Sequence, residues 1–254
     1  MAYLGEYHLN SNTLAYYKFD NNLNDSSGAG LTLSNSGADY SFDRLKIGSH
    51  SLVGSGAYLF RNDTFLWSMH TNHTYGFWFS PVKVDATNDL ELFYSSDGTY
   101  YKGAIAMMIQ YSSKIIVWPR IYRYDSGSTT WTDSSGTLSL AEGKWYFILL
   151  RYLWSVNYYY LYLYVYQNKT EVGAGSPKGR WEWNVVSEYV RVASFTGSST
   201  SLADYFRIFP ASYSDQYYAI DELFIESGAW GASPVDEFIP YWQQTRGVRT
   251  PRCS

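Results

Sequence analysis

The chain has 254 residues, a formal net charge of −4 and one cysteine, Cys253. That length accommodates one large domain with its own core, and a lone cysteine excludes an internal disulfide and a Cys-based zinc site. With 19 Lys+Arg against 23 Asp+Glu there is no broad positive field for nucleic acid, and 20% aromatic beside 17% charged residues argues against a helical bundle.

In chain order, Met1–Asn12 reads MAYLGEYHLNSN. It lacks the basic start and apolar run of an export signal and is expected to form an N-terminal arm. Strand-like runs rich in Tyr, Phe, Val and Ile follow at Thr13–Phe19, Thr74–Phe79, Leu90–Tyr94, Ala104–Gln110, Lys114–Tyr122, Lys144–Leu153, Tyr158–Tyr166, Tyr189–Ser194, Tyr205–Ile208 and Tyr217–Ile225. Gly, Ser, Asn and Asp clusters separate them, among them Asn24–Gly28, Ser95–Gly98, Asp125–Gly127 and Gly173–Pro177. Trp145–Leu153 and Tyr158–Tyr166 are apolar or aromatic at nearly every position, which predicts a hairpin of strands covered on both faces. Nothing approaches 18 uninterrupted apolar residues, so no membrane-spanning helix is expected.

One helix signal appears late. Ser233 suits a cap, Pro234 the first helical position, and Asp236 and Glu237 the positive end of the dipole, while Pro240 limits the helix to a turn or two. No repeat or linker divides the chain. One domain is expected over residues 13–244, with a C-terminal arm at 245–254 carrying Arg246, Arg249 and Arg252.

Several segments, in order, resemble a known family. Leu14–Asp20 followed by Asn21–Gly28 is similar to its opening strand and Asp-Ser-Ser-Gly turn. Gly48–Leu52 and Gly54–Leu59 resemble its glycine-rich second and third strands, and Tyr75–Pro81 its core strand with a central Trp. Gly143–Phe147 looks like its Gly-x-Trp turn, Tyr162–Asn168 the strand after it, and Ala219–Ile225 its Ile-Asp-Glu closing strand. The family is the concanavalin A-like lectin/glucanase superfamily, in its laminin G-like branch. The resemblance implies an all-β fold, a two-sheet antiparallel jelly-roll sandwich with one short helix near the C-terminus, in which the opening and closing strands pair. Residues 85–140 match none of its motifs.

Candidate sites follow from residue chemistry. Glucanases of this superfamily carry Glu-x-Asp-x-Glu on one strand; here Asp89 and Glu91 stand without a third acid, and alternation would put Asp221 and Glu222 on opposite faces, so a non-enzymatic protein is expected. Asp20, Asn22 and Asp25 crowd the first turn, and Asp221 lies on the strand expected to pair with the opening one. They could hold a structural Ca²⁺, or the acids could cap turns through hydrogen bonds. Trp131, Trp181, Trp183 and Trp230 sit near loops, where rings could stack on sugars; the other reading is that they serve the core or interfaces. His70 and His73, three apart in a loop before a strand, would point to opposite sides and not share a metal.

A laminin G-like domain without an export signal points to a virus particle, released by lysis. The leading expectation is a phage structural or decoration protein, in contact with other virion proteins or copies of itself. Its loops would reach cell-surface glycans, and no nucleic acid is expected. The alternative is a free, extracellular lectin-like protein, and a glycoside hydrolase comes third.

Overall fold

The computed structural model describes residues 7, 9–35, 37–43, 48–54, 59–61, 71–84, 90–96, 103–125, 128–168, 181–183, 188–193, 205–208 and 217–228. The strands are β1 (Thr13–Tyr17), β2 (Ser34–Asn35), β3 (Asp39–Ser41), β4 (Ser51–Gly54), β5 (Leu59–Arg61), β6 (His73–Lys83), β7 (Leu90–Ser96), β8 (Gly103–Tyr111), β9 (Ile115–Asp125), β10 (Ser128–Asp133), β11 (Leu138–Leu140), β12 (Tyr146–Ser155), β13 (Tyr158–Asn168), β14 (Trp181–Trp183), β15 (Glu188–Ala193), β16 (Tyr205–Ile208) and β17 (Tyr217–Ser227). Among the described residues there is no helix. The helix expected near Ser233 and the C-terminal arm lie outside them.

Two antiparallel sheets result. Sheet A runs β14-β13-β12-β6-β17-β4-β3, with β15 also on β13 and β1 also on β17; sheet B runs β10-β9-β8-β7-β16-β5-β2, with β11 also on β9. The expected pairing of opening and closing strands is present, since β1 lies antiparallel to β17 with Tyr17 opposite Leu223. Alternate residues of both sheets meet in one core: Phe77, Phe79, Ile148, Leu150, Leu161 and Leu163 from sheet A, and Ile105, Met107, Ile109, Val117 and Ile121 from sheet B.

Local chemistry explains several departures from the expected elements. The first strand stops at Tyr17 instead of Phe19 because Phe19 and Asn21 take left-handed backbone (φ 59° and 58°). Pro119 is tolerated inside β9 because it falls in the gap between two partners: β11 covers Ile115–Val117 and β10 ends opposite Arg120. In β6, Gly76 admits the Phe224 ring, whose Cζ would lie 2.3 Å from an added Cβ.

The closing strand is irregular where its partner changes from β4 to β1. Its register with β6 shifts between Asp221 and Phe224, and Glu222 sits at φ 51°. The expectation that Asp221 and Glu222 face opposite ways is therefore overturned. Asp221 stands opposite Trp78, a residue of the outward cluster, while Glu222 accepts hydrogen bonds on that same side from Tyr16 Oη and, at 3.3 Å, from the Tyr7 amide.

Tyr7 packs against the closing strand. Its ring stacks on Phe224 with centroids 4.2 Å apart, and its hydroxyl donates to Glu226. Asn10 Nδ2 donates to the same carboxylate at 2.6 Å. With Tyr16, Trp78, Phe147 and Leu149, Tyr7 covers one half of the outer face of sheet A. Tyr7 and Asn10 thus pack on the protein's own sheet, although they belong to the segment expected to be an arm.

Among the described residues, no comparable cluster covers the other half of that face. In β13, Tyr159, Leu161, Leu163 and Val165 are buried in the core, while Tyr158, Tyr160, Tyr162 and Tyr164 stand half-buried on the outside. The expectation of cover on both faces holds for β12 near Phe147 and Leu149, while the outer tyrosines of β13 are partly covered, Tyr164 by that same cluster. Four phenol tips tolerate water where four leucines would not.

Candidate functional site

The outer face of sheet B gathers a different set of residues. Val117 and Ile121 of β9 enter the core, so Trp118, Arg120 and Tyr122, in step with each other, stand on the opposite side. Cross-strand register adds the rest: Trp131 lies opposite Tyr122, Asp133 opposite Arg120, Met108 opposite Trp118 and Glu91 opposite Met108. Residues 91 to 133 are thereby assembled on one surface by pairing alone.

Asp133 is its anchor. Oδ1 accepts from Arg120 Nε at 2.5 Å and from Trp118 Nε1 at 3.0 Å, and Oδ2 accepts from Arg120 Nη2 at 2.8 Å. This is a two-pronged guanidinium–carboxylate pair, with side chains 8% and 33% exposed. Burial opposes the charge on Arg120, but the Asp133 carboxylate and the Tyr122 hydroxyl outweigh it and raise its pKa. Tyr122 in turn donates to Glu91 Oε1 at 2.5 Å. Burial, and then the Glu91 charge, push the phenol pKa up, so Tyr122 stays a protonated donor.

Beside this fixed network stands Trp131, 58% exposed, with the Arg120 guanidinium carbon 5.4 Å from its ring centre. An indole held in a strand offers a flat apolar platform, and the carboxylates beside it offer acceptors for hydroxyl groups. The charge is informative. Arg120 against Glu91 and Asp133 is one cation against two anions, a net −1 among the described charged residues whose contacts build the face. With its cation already held by Asp133, the surface favours a neutral polyhydroxylated ligand over an anionic one.

The four tryptophans expected near loops fare differently. Trp131 is inside β10, while Trp181 and Trp183 are in β14 opposite Asn168 and Tyr166, on the other sheet; Trp230 lies outside the described residues. The three described ones belong to strands, Trp131 on one sheet and Trp181 and Trp183 on the other. Glu91 was visible as an acid and Trp131 as a ring. Arg120, Tyr122, Trp118 and Asp133 were missed, although the alternation in Val117–Tyr122 carried the signal.

Three of the expected cation ligands, Asp20, Asn22 and Asp25, accept hydrogen bonds from the protein itself. Asp20 Oδ1 accepts from the Ser49 amide at 2.6 Å, the Ser49 hydroxyl at 3.0 Å and the His50 amide at 3.2 Å. Asn22 accepts from the Asn24 amide at 3.0 Å. Asp25 accepts from the amides of Tyr16, Ser27 and Leu31 at 3.0, 2.8 and 3.1 Å and from the Ser27 hydroxyl at 2.8 Å. Burial works against its charge, yet these donors prevail and hold its pKa below the ordinary value. Asp221 is fully buried inside β17. No three His, Cys, Asp or Glu side chains among the described residues gather as a metal would require. Donors aimed at the oxygens of Asp20, Asn22 and Asp25 fit turn capping.

His73 is in β6 and buried, not in a loop; Thr71 Oγ1 lies 2.6 Å from its Nε2, and burial lowers its pKa to about 4. His70 lies outside the described residues. No helix among the described residues is long and apolar enough to cross a membrane.

No family model and no curated protein matches the chain. Solved structures do. Domain 4 of AbnA, a GH43 extracellular arabinanase from Geobacillus stearothermophilus, solved in complex with arabinotriose, is similar at 19% identity and a TM-score of 0.54, over 89% of this chain and 97% of that one. The receptor binding domain of botulinum neurotoxin mosaic serotype C/D is similar at 16% identity and a TM-score of 0.54, and the serotype D ligand binding domain, solved with N-acetylneuraminic acid, at 14% and 0.54. The chain spans about half of each toxin domain, 51% in both cases. At these identities the likeness concerns the backbone, and it places the chain among β-sandwiches built from two stacked antiparallel sheets.

Proposed function

We propose that the protein is a glycan-binding module that holds a neutral sugar chain on the outer face of sheet B and does not cleave it. The observation that carries this reading is Trp131, an exposed ring beside the buried Arg120 and its half-buried partner Asp133. Sugar rings have one apolar face for the indole and hydroxyls for Glu91 and Asp133. The complex of AbnA domain 4 with arabinotriose supports the reading, because a like-folded domain takes a neutral oligosaccharide. Binding without turnover is favoured because both carboxylates are engaged, Glu91 by Tyr122 and Asp133 by Arg120 and Trp118. Adhesion to a glycan-coated surface is the role such a module would fill, on a virus particle or as a free protein.

A panel of neutral and acidic oligosaccharides, titrated while tryptophan fluorescence is followed, tests the proposal. Trp131→Ala should weaken binding of a neutral ligand about tenfold or more and leave the melting temperature nearly unchanged, since the ring is exposed. Silence of the wild type across the neutral panel, or an unchanged affinity in the variant, would end the reading.

A further inference from the structure

The outer face of sheet A carries four evenly spaced rings. Tyr158, Tyr160, Tyr162 and Tyr164 follow one another with centroids 6.1, 6.2 and 6.2 Å apart, the last two pairs stacked within 18°. Tyr160, Tyr162 and Tyr164 stack along the strand and Tyr158 is tilted by 54° against Tyr160, so the four do not form one flat platform. They present their edges and hydroxyl tips as a rail along β13.

Two guanidinium groups attend the rail. Arg191 of β15 is exposed and lies over the Tyr158 ring at 3.5 Å and the Tyr160 ring at 5.7 Å. Stacked in this way, it keeps its N–H edge for a partner in the ring plane, and it has no carboxylate partner among the described residues. Arg151 of β12 stands opposite Tyr162, 5.8 Å from its ring centre, and is 8% exposed. Its Nε is a buried donor without a hydrogen-bond partner among the described residues. An unspent buried donor is costly unless something accepts from it. On the outer side of β12 and β13 the residues beside these two arginines are Leu149, Leu153 and the tyrosines, with no acid among them.

We propose that this face is a second binding surface, for an acidic polysaccharide bearing carboxylates. Arg191 grips a carboxylate in two-pronged fashion, and Arg151 adds its charge from below. The tyrosine hydroxyls bond the polymer's hydroxyls. Several features select this occupant. Neither arginine meets a carboxylate among the described residues, unlike Arg120 on the Trp131 face, and the acids of this sheet face, Glu222 and Glu226, already accept from Tyr7, Asn10 and Tyr16. The rail repeats, as a polymer does. A sheet face also offers no free backbone N–H or C=O groups, which an extended acidic peptide would seek at a sheet edge.

The test is calorimetric titration of the full chain with polygalacturonate, a neutral arabinan and polyglutamate at low and high salt. Polygalacturonate should bind, lose affinity as salt rises, and bind about tenfold or more weakly to Arg191→Gln, the loss expected for a charge-assisted contact. Tyr160→Ala should also weaken it, and Trp131→Ala should leave it intact, so failure here is separable from failure of the neutral-glycan reading. Arg191 is exposed, so its variant folds and the result is interpretable. Equal binding of polyglutamate would replace the glycan with an acidic protein partner. Binding of arabinan through the same residues, or wild-type affinity of Arg191→Gln for polygalacturonate, would overturn the proposal.

Discussion

The two outer faces of the sandwich are made of the same parts, arginines set among aromatic rings, yet they differ in one respect. On sheet B, Arg120 is clamped by Asp133, and the exposed ring is left to do the recognising. On sheet A, Arg191 and Arg151 meet rings but no carboxylate among the described residues. An arginine locked into a fork is scaffold, while one merely stacked still has donors to give. Placement of a single acid on a neighbouring strand decides which.

Tyr7→Ala should have the largest effect on this contrast. Tyr7 covers the closed half of the sheet A face, with Phe224 beneath it and the buried carboxylates of Glu222 and Glu226 as its partners. Its loss should cost about 3–4 kcal/mol in denaturant unfolding, as for a buried aromatic cut to Ala. It should also expose a patch carrying negative charge beside the positive rail. A variant as stable as the wild type would show that the covered half and the tyrosine rail are not distinct.

Acid should come next, and it acts through sheet A. His73 is buried with its pKa lowered from 6.5 to about 4. The unfolded chain binds the proton first, so this contribution to stability is intact above pH 6.5, falls as pH drops below it, and is gone by about pH 4. The total is about 3 kcal/mol. Stability measured across that window in the wild type and in His73→Gln should diverge, and parallel curves would refute the assignment. Below pH 3.8 the lowered pKa of Asp25 adds a further loss of the same sign.

Asp133→Ala should have a smaller effect on stability and tests the contrast most directly. Removing the partner of a buried arginine costs about 2 kcal/mol once the partial exposure of Asp133 is allowed for. It also releases the Arg120 fork. The sheet B face should then gain affinity for acidic glycans, resembling sheet A, and calorimetry with polygalacturonate would register the gain. No gain would mean that pairing does not separate the two surfaces.

Much of the fold was legible locally. Runs such as Leu90–Tyr94, Ala104–Gln110 and Tyr205–Ile208 fall inside or on their strands because β-branched and aromatic residues bounded by turn formers leave little alternative. β10 was missed because Ser128–Asp133 is made of residues shared by turns and strands, although Ser126-Gly127 makes a plausible hairpin turn and Thr and Trp favour strands. The tyrosines of β13 were legible as a strand, but their period of two was hidden by rings on both sides of it.

The amino-acid sequence by itself determined that the chain makes strands and where most of them run. Those properties depend on composition and short-range alternation. Only the tertiary structure decided which rings are open, that Asp133 reaches Arg120 and Trp118 while Arg191 meets no acid among the described residues, and that Tyr7 returns to cover Glu222 and Glu226. The reason is physical: register between strands far apart in the chain sets which charges become neighbours, and no local pattern encodes that register.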